Sequence, residues 1–298
     1  MSTMDSIKLN DGTTIPSLGY GLGTVHFLSQ EKDVSDATLM ALQQGYFHLD
    51  CAEMYMNEAG VGAGIRAAGI PRDKLFVTTK IVGTKDQDVD AALSSSLSKL
   101  GLDYIDLYLV HMPVCAGSPE GLQKIWAQME AAKTAGKARS IGVSNFEQDD
   151  LEIILKTATI PPSINQVEFH PYLQHAELLK FHRQHNIATA AYSALSAITA
   201  ARPGPVDTAF SELSQKYSVT ENDIALRWVL DQGIIVITTS KSAQRLQSYL
   251  EHLSKFKLTP DEVQQICELG AQKHYQGPGL GTRLLPTPSP FPLCFTQC

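Results

Sequence analysis

The stretch YIDLYLVHMPVCAGSPEGLQKIWAQMEAAKTAGKARSIGVSN, residues 104–145, contains one full unit of the pattern that decides the fold. Residues 104–110 and 138–143 are short apolar runs with the length and composition of buried strands. Residues 121–135, between them, place apolar side chains at helical spacing. A strand followed by a helix and a second strand indicates a βαβ unit, and therefore a parallel sheet.

The same alternation continues in both directions along the 298 residues. Further strand-like runs lie at 18–23, 47–49, 75–79, 164–168, 187–192 and 234–238. Helical patterns lie at 33–44, 58–68, 88–100, 148–157, 176–185 and 207–217, with extra helices at 220–230 and from Thr259 onward. Eight strands in a chain of this length favour a closed (β/α)8 TIM barrel, an α/β fold, over an open sheet. No linker or repeat divides the chain, so we expect one domain over residues 1–298.

A short segment precedes the first unit of this pattern. Asn10, Asp11 and Gly12 form a hairpin turn signal between the alternating residues of segment 7–15. We therefore predict an N-terminal β-hairpin that plugs the bottom of the barrel.

Composition excludes several classes of protein. The net charge of −7 lacks the basic surplus typical of nucleic-acid binding. No apolar run approaches the roughly 18 residues that a membrane span needs, and residues 1–10 do not resemble a secretion signal. The five cysteines are widely spaced and odd in number, which indicates reduced thiols. We expect a cytoplasmic protein with neither a nucleic-acid nor a membrane partner.

The residues that end the predicted strands are the most informative feature. Seven successive apolar runs finish in polar or charged side chains: Asp50, Lys80, His111, Ser144 with Asn145, Gln166, Tyr192 with Ser193, and Thr238 to Ser240. All carboxyl ends of barrel strands meet on one face, which is where barrel enzymes place their active sites. The sequence therefore predicts a single polar site at that face.

Four of these residue types suggest proton transfer. Tyr55 follows Asp50 by five positions, and Lys80 and His111 come from the next two strands. A nearby ammonium stabilises tyrosinate, lowers the pKa of the phenol and makes it a better acid. Each residue alone also has an ordinary structural interpretation, as a helix cap, a strand-end charge, a packed ring or a core histidine.

Other chemistries find less support in the sequence. No histidine pair has convincing metal-ligand spacing beside a carboxylate, so no metal site is expected. A GxSxG motif for hydrolysis is absent. The glycines at 19, 21 and 23 do not continue as the GxGxxG of a Rossmann fold.

Several motifs resemble the aldo-keto reductases. They are LNDGTTIPSLGYGLGT from residue 9, DCAEMY at 50–55, TTK at 78–80, LVHMP at 109–113, IGVSNF at 141–146, NQVEFHPYLQ at 165–174, AYSAL at 191–195 and ALRWVL at 225–230. The likeness extends from about residue 7 to about residue 270, and the motifs occur in the family's order. The resemblance implies a (β/α)8 barrel that reduces carbonyls with NADPH, less often NADH, and without a metal.

The resemblance also implies roles for individual residues. Tyr55 would donate a proton to the carbonyl, Lys80 with Asp50 would tune it, and His111 would hold the carbonyl oxygen. Ser144, Asn145 and Gln166 would hold the nicotinamide carboxamide, and Tyr192 would stack on the nicotinamide ring. The other residues that would bind the cofactor are Gly23, Thr24, Asp50, Ser193 and Leu195.

The phosphate end departs from the family pattern. Residues 238–241 read Thr-Thr-Ser-Lys where the family often has Pro-Lys-Ser, and Arg245 follows. Thr238, Thr239, Ser240, Lys241 and Arg245 still offer hydroxyls and two cations at a helix N-terminus, which favours NADPH over NADH. Ser248 and Tyr249 replace the usual Glu-Asn pair near the adenine.

The predicted substrate wall departs as well. Val25, Val82 and Met112 stand where well-studied members carry tryptophans, and Met54 and His111 complete the wall. A wide aliphatic pocket predicts a bulky substrate, such as a cyclic ketone, polyketone or α-keto amide. The Thr-Thr-Ser-Lys variant is similar to that of fungal conjugated-polyketone and α-keto amide reductases.

The C-terminal residues 275–298 hold five of the 15 prolines and lie where the family places a loop over the substrate mouth. Three alternatives stay open at this point. They are an imine reductase, an NADP-dependent alcohol dehydrogenase of secondary metabolism, and a nucleotide-binding regulatory subunit like the potassium-channel β-subunits. We expect a monomer or weak dimer.

Overall fold

Eight parallel strands form a closed barrel in the computed structural model, which describes residues 4–277. Two strands of a hairpin precede them, β1 (Ser6–Lys8) and β2 (Thr14–Pro16). The barrel strands are β3 (Leu18–Gly21), β4 (His48–Asp50), β5 (Phe76–Ile81), β6 (Ile105–Val110), β7 (Ala138–Ser144), β8 (Ile164–Glu168), β9 (Ala188–Tyr192) and β10 (Ile235–Thr238). Strand β10 pairs with both β9 and β3, which closes the ring and confirms the predicted TIM barrel.

Helices connect the strands on the outside of the barrel. They are α1 (Glu31–Gln44), α2 (Glu58–Ala68), α3 (Val89–Leu100), α4 (Pro119–Thr134), α5 (Gln148–Leu155), α6 (Ala176–Gln184), α7 (Asp207–Tyr217), α8 (Glu221–Leu230), α9 (Ala243–Leu253) and α10 (Pro260–Gly270). Short 3-10 turns occur at Glu53–Tyr55, Arg72–Lys74, Pro113–Ala116 and Ser196–Ile198. Within the described residues no helix is both long enough and apolar enough to cross a membrane.

Local sequence explains where several helices begin. Ser118 caps α4 by accepting a hydrogen bond from the Gly121 amide, and Pro119 occupies the first helical position. Thr220 and Thr259 begin α8 and α10 with reciprocal capping boxes, as their positions before acidic first turns predict.

The predicted hairpin closes one end of the barrel. Its strands pair antiparallel, with Ile7 opposite Ile15. Leu9 and Ile15 are buried in the same apolar cluster as Phe76, Leu107 and other side chains of the barrel interior. This packing fills the amino-terminal end of the barrel with side chains and leaves the carboxyl ends of the strands for a site.

The C-terminal segment can be followed only in part. Residues 275–277 are described, whereas the proline-rich remainder, residues 278–298, lies outside the described residues. The Gly277 amide donates a hydrogen bond to Glu168 Oε1 at 2.9 Å, and Glu168 is the last residue of β8. The described chain therefore ends at the carboxyl face of the barrel.

Candidate functional site

Asp50, Tyr55, Lys80 and His111 come together at the carboxyl ends of three neighbouring strands. Asp50 is the last residue of β4, Lys80 lies one position before the end of β5, and His111 directly follows β6. Tyr55 ends the 3-10 turn after β4, and this turn brings it back over the barrel. The fold thus gathers residues that are separated by up to 61 positions, counted from Asp50 to His111.

A buried ion pair forms the floor of this site. Lys80 Nζ lies 2.5 Å from Asp50 Oδ1, and the two side chains are 0% and 4% exposed. The ammonium also donates to the Cys51 carbonyl at 3.0 Å, and Gln166 Nε2 donates to Asp50 Oδ2 at 2.8 Å. Burial alone would lower the pKa of Lys80, but the carboxylate of Asp50 raises it above its usual value. Lys80 therefore carries a positive charge at neutral pH.

Tyr55 lies between this cation and His111. Lys80 Nζ is 5.1 Å from the centre of the Tyr55 ring, and the Tyr55 hydroxyl is 3.4 Å from His111 Nε2. Burial raises the pKa of Tyr55 and Lys80 opposes that rise, with a net increase above 10. The prediction of a lowered pKa from the ammonium was wrong for the net value, because desolvation of the phenolate outweighs the attraction of Lys80. At neutral pH the phenol holds its proton.

His111 is buried and uncharged. Burial, reinforced by the charge of Lys80, lowers its pKa well below 6.5. Nδ1 is a buried atom without a hydrogen-bond partner among the described residues, whereas Nε2 faces the Tyr55 hydroxyl. A buried N–H without an acceptor is rarely tolerated, which favours the proton on Nε2. His111 can then offer an N–H to an oxygen atom placed beside Tyr55.

A hydrogen-bonded network continues from these residues along three more strands. Asn145 Nδ2 donates to the His111 carbonyl at 3.0 Å, and the Tyr192 hydroxyl donates to Asn145 Oδ1 at 2.8 Å. Ser144 Oγ donates to the Gln166 carbonyl at 2.8 Å. Asn145 has a φ of +62°, a left-handed conformation that asparagine tolerates better than most residues. Ser144, Asn145, Gln166 and Tyr192, the residues predicted to hold the nicotinamide, therefore share one network with Asp50.

The other residues predicted to bind the cofactor near the strand ends lie around this network. Gly23, two positions after the end of β3, lies against the Tyr55 ring, and a Cβ atom at Gly23 would lie 2.6 Å from that ring. Thr24 is exposed in the next position. Ser193 and Leu195 begin the turn after β9, where the Ser193 carbonyl accepts from the Ser196 amide at 2.9 Å. None of these four residues forms a hydrogen bond with Asp50, Tyr55, Lys80 or His111 among the described residues.

The predicted phosphate residues surround the N-terminus of α9. Thr238 ends β10, and Thr239, Ser240 and Lys241 lead to Ser242, which caps the helix through the Arg245 amide. Lys241 and Arg245 are exposed, and within residues 4–277 neither forms an ion pair. Two cations without an ion-pair partner in residues 4–277 and several hydroxyls at a helix N-terminus fit a phosphate group.

Ser248 and Tyr249 differ in their exposure to solvent. Ser248 Oγ lies 3.3 Å from His252 Nδ1, on the partly buried side of α9. Tyr249 is 2% exposed and accepts a hydrogen bond from Asn222 Nδ2 at 2.9 Å. Its ring belongs to the core, so only Ser248 of this pair stays near the surface.

The predicted substrate residues follow the carboxyl ends of three strands and one turn. Val25, Met54 and Val82 are half-buried, and Met112 is buried beside His111. Glu53 accepts a hydrogen bond from the Val82 amide at 3.1 Å, which fixes the loop after β5. The aliphatic residues predicted for the pocket wall thus lie on the same face as Tyr55.

Sequence reasoning missed several apolar residues at this face. The Phe27 ring packs edge-on against Tyr55, with centroids 6.0 Å apart. Leu28, Met56 and Val114 are 58%, 72% and 56% exposed, on the loops that follow β3, β4 and β6. We call Leu28, Met56 and Val114 the apolar rim. The adjacent apolar residues Phe27 and Leu28, inside an expected loop, were the available signal for two of these residues.

Metal ligands do not cluster in the described part of the chain. No group of three or more His, Cys, Asp or Glu side chains there is arranged to hold an ion.

Comparisons with known proteins agree with this arrangement. The model of the Aldo/keto reductase family matches residues 18–271. A Schizosaccharomyces pombe protein named NAD/NADP-dependent indole-3-acetaldehyde reductase is 38% identical over 274 residues, covering 88% of this chain and 94% of that protein. A Saccharomyces cerevisiae NADPH-dependent alpha-keto amide reductase is 36% identical, covering 89% and 90%. A Bombyx mori aldo-keto reductase solved with NADP superposes with a TM-score of 0.82 at 35% identity, covering 90% and 94%.

Proposed function

The chain belongs to the aldo/keto reductase family, and from that premise we propose that it reduces a bulky ketone or aldehyde with NADPH, using Tyr55 as the proton donor. It is an oxidoreductase that acts on carbonyls with NAD(P)H. One observation carries the proposal for Tyr55. Its protonated hydroxyl lies between a buried Lys80–Asp50 pair and an uncharged His111 at the mouth of the barrel.

The residues of the site have separate roles in carbonyl reduction. The bound nicotinamide supplies the hydride, and Ser144, Asn145, Gln166 and Tyr192 would hold that end of the cofactor. His111 donates a hydrogen bond from Nε2–H to the carbonyl oxygen, and this bond orients the carbonyl toward Tyr55. Tyr55 transfers its phenolic proton to the same oxygen and becomes a tyrosinate.

Lys80 and Asp50 act on Tyr55 and do not touch the carbonyl. The Lys80 ammonium stabilises the tyrosinate that forms when Tyr55 gives up its proton. Asp50 keeps Lys80 charged and oriented through the 2.5 Å contact, and Gln166 in turn holds Asp50 at 2.8 Å. Because the pair is buried, its field on Tyr55 is less weakened by water than it would be at the surface.

Two observations support a bulky substrate. The residues expected to form the pocket wall are Val25, Met54, Val82 and Met112, which are narrower than tryptophan. The apolar rim leaves three large side chains exposed around the opening, where they could contact an apolar group beyond the carbonyl. The named substrate of the fission yeast relative, indole-3-acetaldehyde, carries a fused aromatic ring.

The preference for NADPH rests on the cations at α9. Lys241 and Arg245 are exposed and unpaired within residues 4–277, so they can bind the additional phosphate that distinguishes NADPH from NADH. One yeast relative is named NADPH-dependent and another NAD/NADP-dependent.

The test is an assay of NADPH consumption by purified protein with a panel of ketones, α-keto amides, imines, aromatic aldehydes and aldoses. We expect bulky ketones or aldehydes to give the highest kcat/KM. A kcat/KM for aldoses well above that for bulky carbonyls would contradict the proposed substrate class. Absence of turnover with the whole panel, in either direction, would instead favour a nucleotide-binding regulatory subunit.

Tyr55→Phe tests the proton donor. Removing the hydroxyl should lower kcat by roughly 100-fold or more, the range typical of a lost general acid. NADPH binding, followed by quenching of protein fluorescence, should be retained because Tyr55 does not hold the cofactor phosphates. Turnover equal to that of the unsubstituted protein would refute the assignment.

Two further expectations stay predictions: a cytoplasmic location, and a monomer or weak dimer. Size-exclusion chromatography coupled to light scattering would measure the oligomeric state.

A further inference from the structure

A buried tyrosine ties the loop before α9 to the first barrel strand. Tyr20 in β3 is 0% exposed, and its hydroxyl donates to the Ser240 carbonyl at 3.1 Å. The same hydroxyl lies 3.1 Å from His26 Nε2. A carbonyl can only accept, so the phenolic hydrogen points to Ser240 and His26 must donate through Nε2. His26 therefore carries its proton on Nε2 and a free lone pair on Nδ1.

A second buried tyrosine fixes the helix that follows this loop. The Tyr46 hydroxyl donates to the Leu246 carbonyl in α9 at 3.0 Å, and the Tyr46 and Tyr20 rings pack edge to face at 6.2 Å. Ser240 Oγ accepts a hydrogen bond from the Ser242 amide, and the Ser242 side chain caps α9. The N-terminus of α9 is thereby held against the barrel at the place proposed for the cofactor phosphate.

The charges around His26 come from three elements. Lys241 approaches from the loop before α9, Asp33 from α1, and the Tyr20 hydroxyl from β3. Burial lowers the pKa of His26, Lys241 lowers it further, and Asp33 acts in the opposite direction. His26 is therefore neutral at neutral pH, because Asp33 offsets the effect of the Lys241 charge only in part. A phosphate next to Lys241 would offset that charge and favour protonation of Nδ1.

Resting on the proposed function, we propose that Tyr20 and His26 are positioning residues for a cofactor phosphate, and that phosphate binding is accompanied by uptake of a proton from solvent at His26 Nδ1. Linkage is reciprocal, so protonation of His26 strengthens phosphate binding by the same factor. The phosphate could be the 2′-phosphate of NADPH or the pyrophosphate that NADPH and NADH share.

Isothermal titration calorimetry near pH 7, in buffers of different ionisation enthalpy, measures this proton uptake directly. The 2′-phosphate itself titrates with a pKa near 6, so the comparison is between the unsubstituted protein and His26→Gln. The glutamine amide can still donate to Tyr20 but cannot titrate. We expect the unsubstituted protein to take up more protons on NADPH binding than His26→Gln does. If this excess occurs with NADPH but not with NADH, the phosphate that His26 senses is the 2′-phosphate. If the excess occurs with both cofactors, that phosphate is the pyrophosphate.

Tyr20→Phe tests the positioning role. It should raise KM for NADPH by roughly 3- to 10-fold with little change in kcat, because one to two hydrogen bonds that hold the loop are lost. Tyr108→Phe is the matched control, since Tyr108 is also 0% exposed but its hydroxyl has no hydrogen-bond partner among the described residues. Thermal unfolding should show that each variant is folded.

The outcomes separate this inference from the proposed function. Equal proton uptake in the unsubstituted protein and His26→Gln, with either cofactor, overturns the titration of His26. Equal KM values for Tyr20→Phe and Tyr108→Phe overturn the positioning role. Failure of the unsubstituted protein to bind both NADPH and NADH would overturn the proposed function and this inference together.

Discussion

Tyr55 is surrounded by groups that set the position of its hydroxyl as well as its acidity. His111 Nε2 lies 3.4 Å from the hydroxyl on one side, and Gly23 leaves room for the ring on another. The Leu28 amide donates to the Tyr55 carbonyl at 3.2 Å, which ties its turn to the loop after β3. The ring therefore has few alternative positions, and small changes beside it should affect the reaction more than stability.

Gly23→Ala tests this tight fit. The added Cβ would lie 2.6 Å from the Tyr55 ring and 2.8 Å from its hydroxyl oxygen, closer than unstrained contacts allow. We expect the ring to move and kcat to fall roughly 10- to 100-fold, since a displacement of about 1 Å at a reacting group has costs of this size. Gly136→Ala is a control of the same chemical type, because no atom lies within 4 Å of its added Cβ, although its φ of +76° adds some strain. An unchanged kcat in Gly23→Ala would show that Tyr55 can adjust.

At the scale of residues, the sequence identified which side chains end the strands but not which atoms they contact. Asp50, Lys80 and His111 could be found because each ends or follows an apolar run. The Gln166–Asp50 bond joins residues 116 positions apart, and no local pattern encodes such a contact. Tyr20 and His26 were missed for the same reason, since their link to Ser240 depends on closure of the barrel between β10 and β3.

Among the elements, α10 is joined to α7 through one carboxylate. Glu262 Oε1 accepts from Lys216 Nζ at 2.6 Å, and Oε2 accepts from the Tyr217 hydroxyl at 2.7 Å. Oε2 also accepts from the Thr259 amide, which completes the capping box of α10. Partial burial tends to raise the pKa of Glu262, but the bonds from Lys216 and its other donors lower it to about 2.

Glu262→Gln should reduce the free energy of unfolding by about 1 kcal/mol at pH 7, because the ion pair is lost while glutamine can still complete the capping box. The pKa of Glu262 is lower in the folded state, so its contribution is complete above the unfolded value of 4.5 and is lost as the pH falls toward about 2. Chemical denaturation at pH 7 and pH 3 measures the difference. Glu268→Gln on the exposed side of α10 is the control, and a loss for Glu262→Gln that is equal at both pH values would contradict this account.

The sequence predicted which elements exist better than where they end. The run at 47–49 predicts a strand, whereas β4 is His48–Asp50, so Asp50 itself belongs to the strand. The first barrel strand was predicted to reach residue 23, but β3 ends at Gly21. Boundaries of this kind depend on pairing with neighbouring strands, such as Gly21 with Asp50, which local hydrophobicity does not report.

In the molecule as a whole, apolar side chains fill one end of the barrel and the candidate site residues lie at the other end. The hairpin residues Leu9 and Ile15 pack into the barrel interior from the amino-terminal side. On the opposite side, the described chain ends where the Gly277 amide donates a hydrogen bond to Glu168, the last residue of the strand that carries Gln166. Closure of the barrel could be predicted from eight alternating units, whereas the course of the C-terminal residues could not, because their apolar side chains lack any regular period.

Removal of the residues after Gln276 tests the prediction that the C-terminal segment covers the substrate mouth. We expect KM for bulky substrates to rise by roughly 3- to 10-fold with smaller changes for small aldehydes, since apolar contacts worth about 1 kcal/mol would be lost. A second truncation after Gly277 keeps the bond to Glu168 and separates its effect from that of the later residues. Steady-state kinetics unaltered by both truncations would show that this segment takes no part in binding.

The contrast between buried and exposed charge in this molecule has a consequence for its response to ionic strength. Lys80 is 0% exposed and its partner Asp50 is 4% exposed, so dissolved ions cannot come between them. Lys241 and Arg245 lie in the solvent, where at about 0.15 M salt charges are screened beyond about 8 Å. Added salt should therefore weaken the capture of the cofactor and leave the turnover of the saturated enzyme almost unchanged.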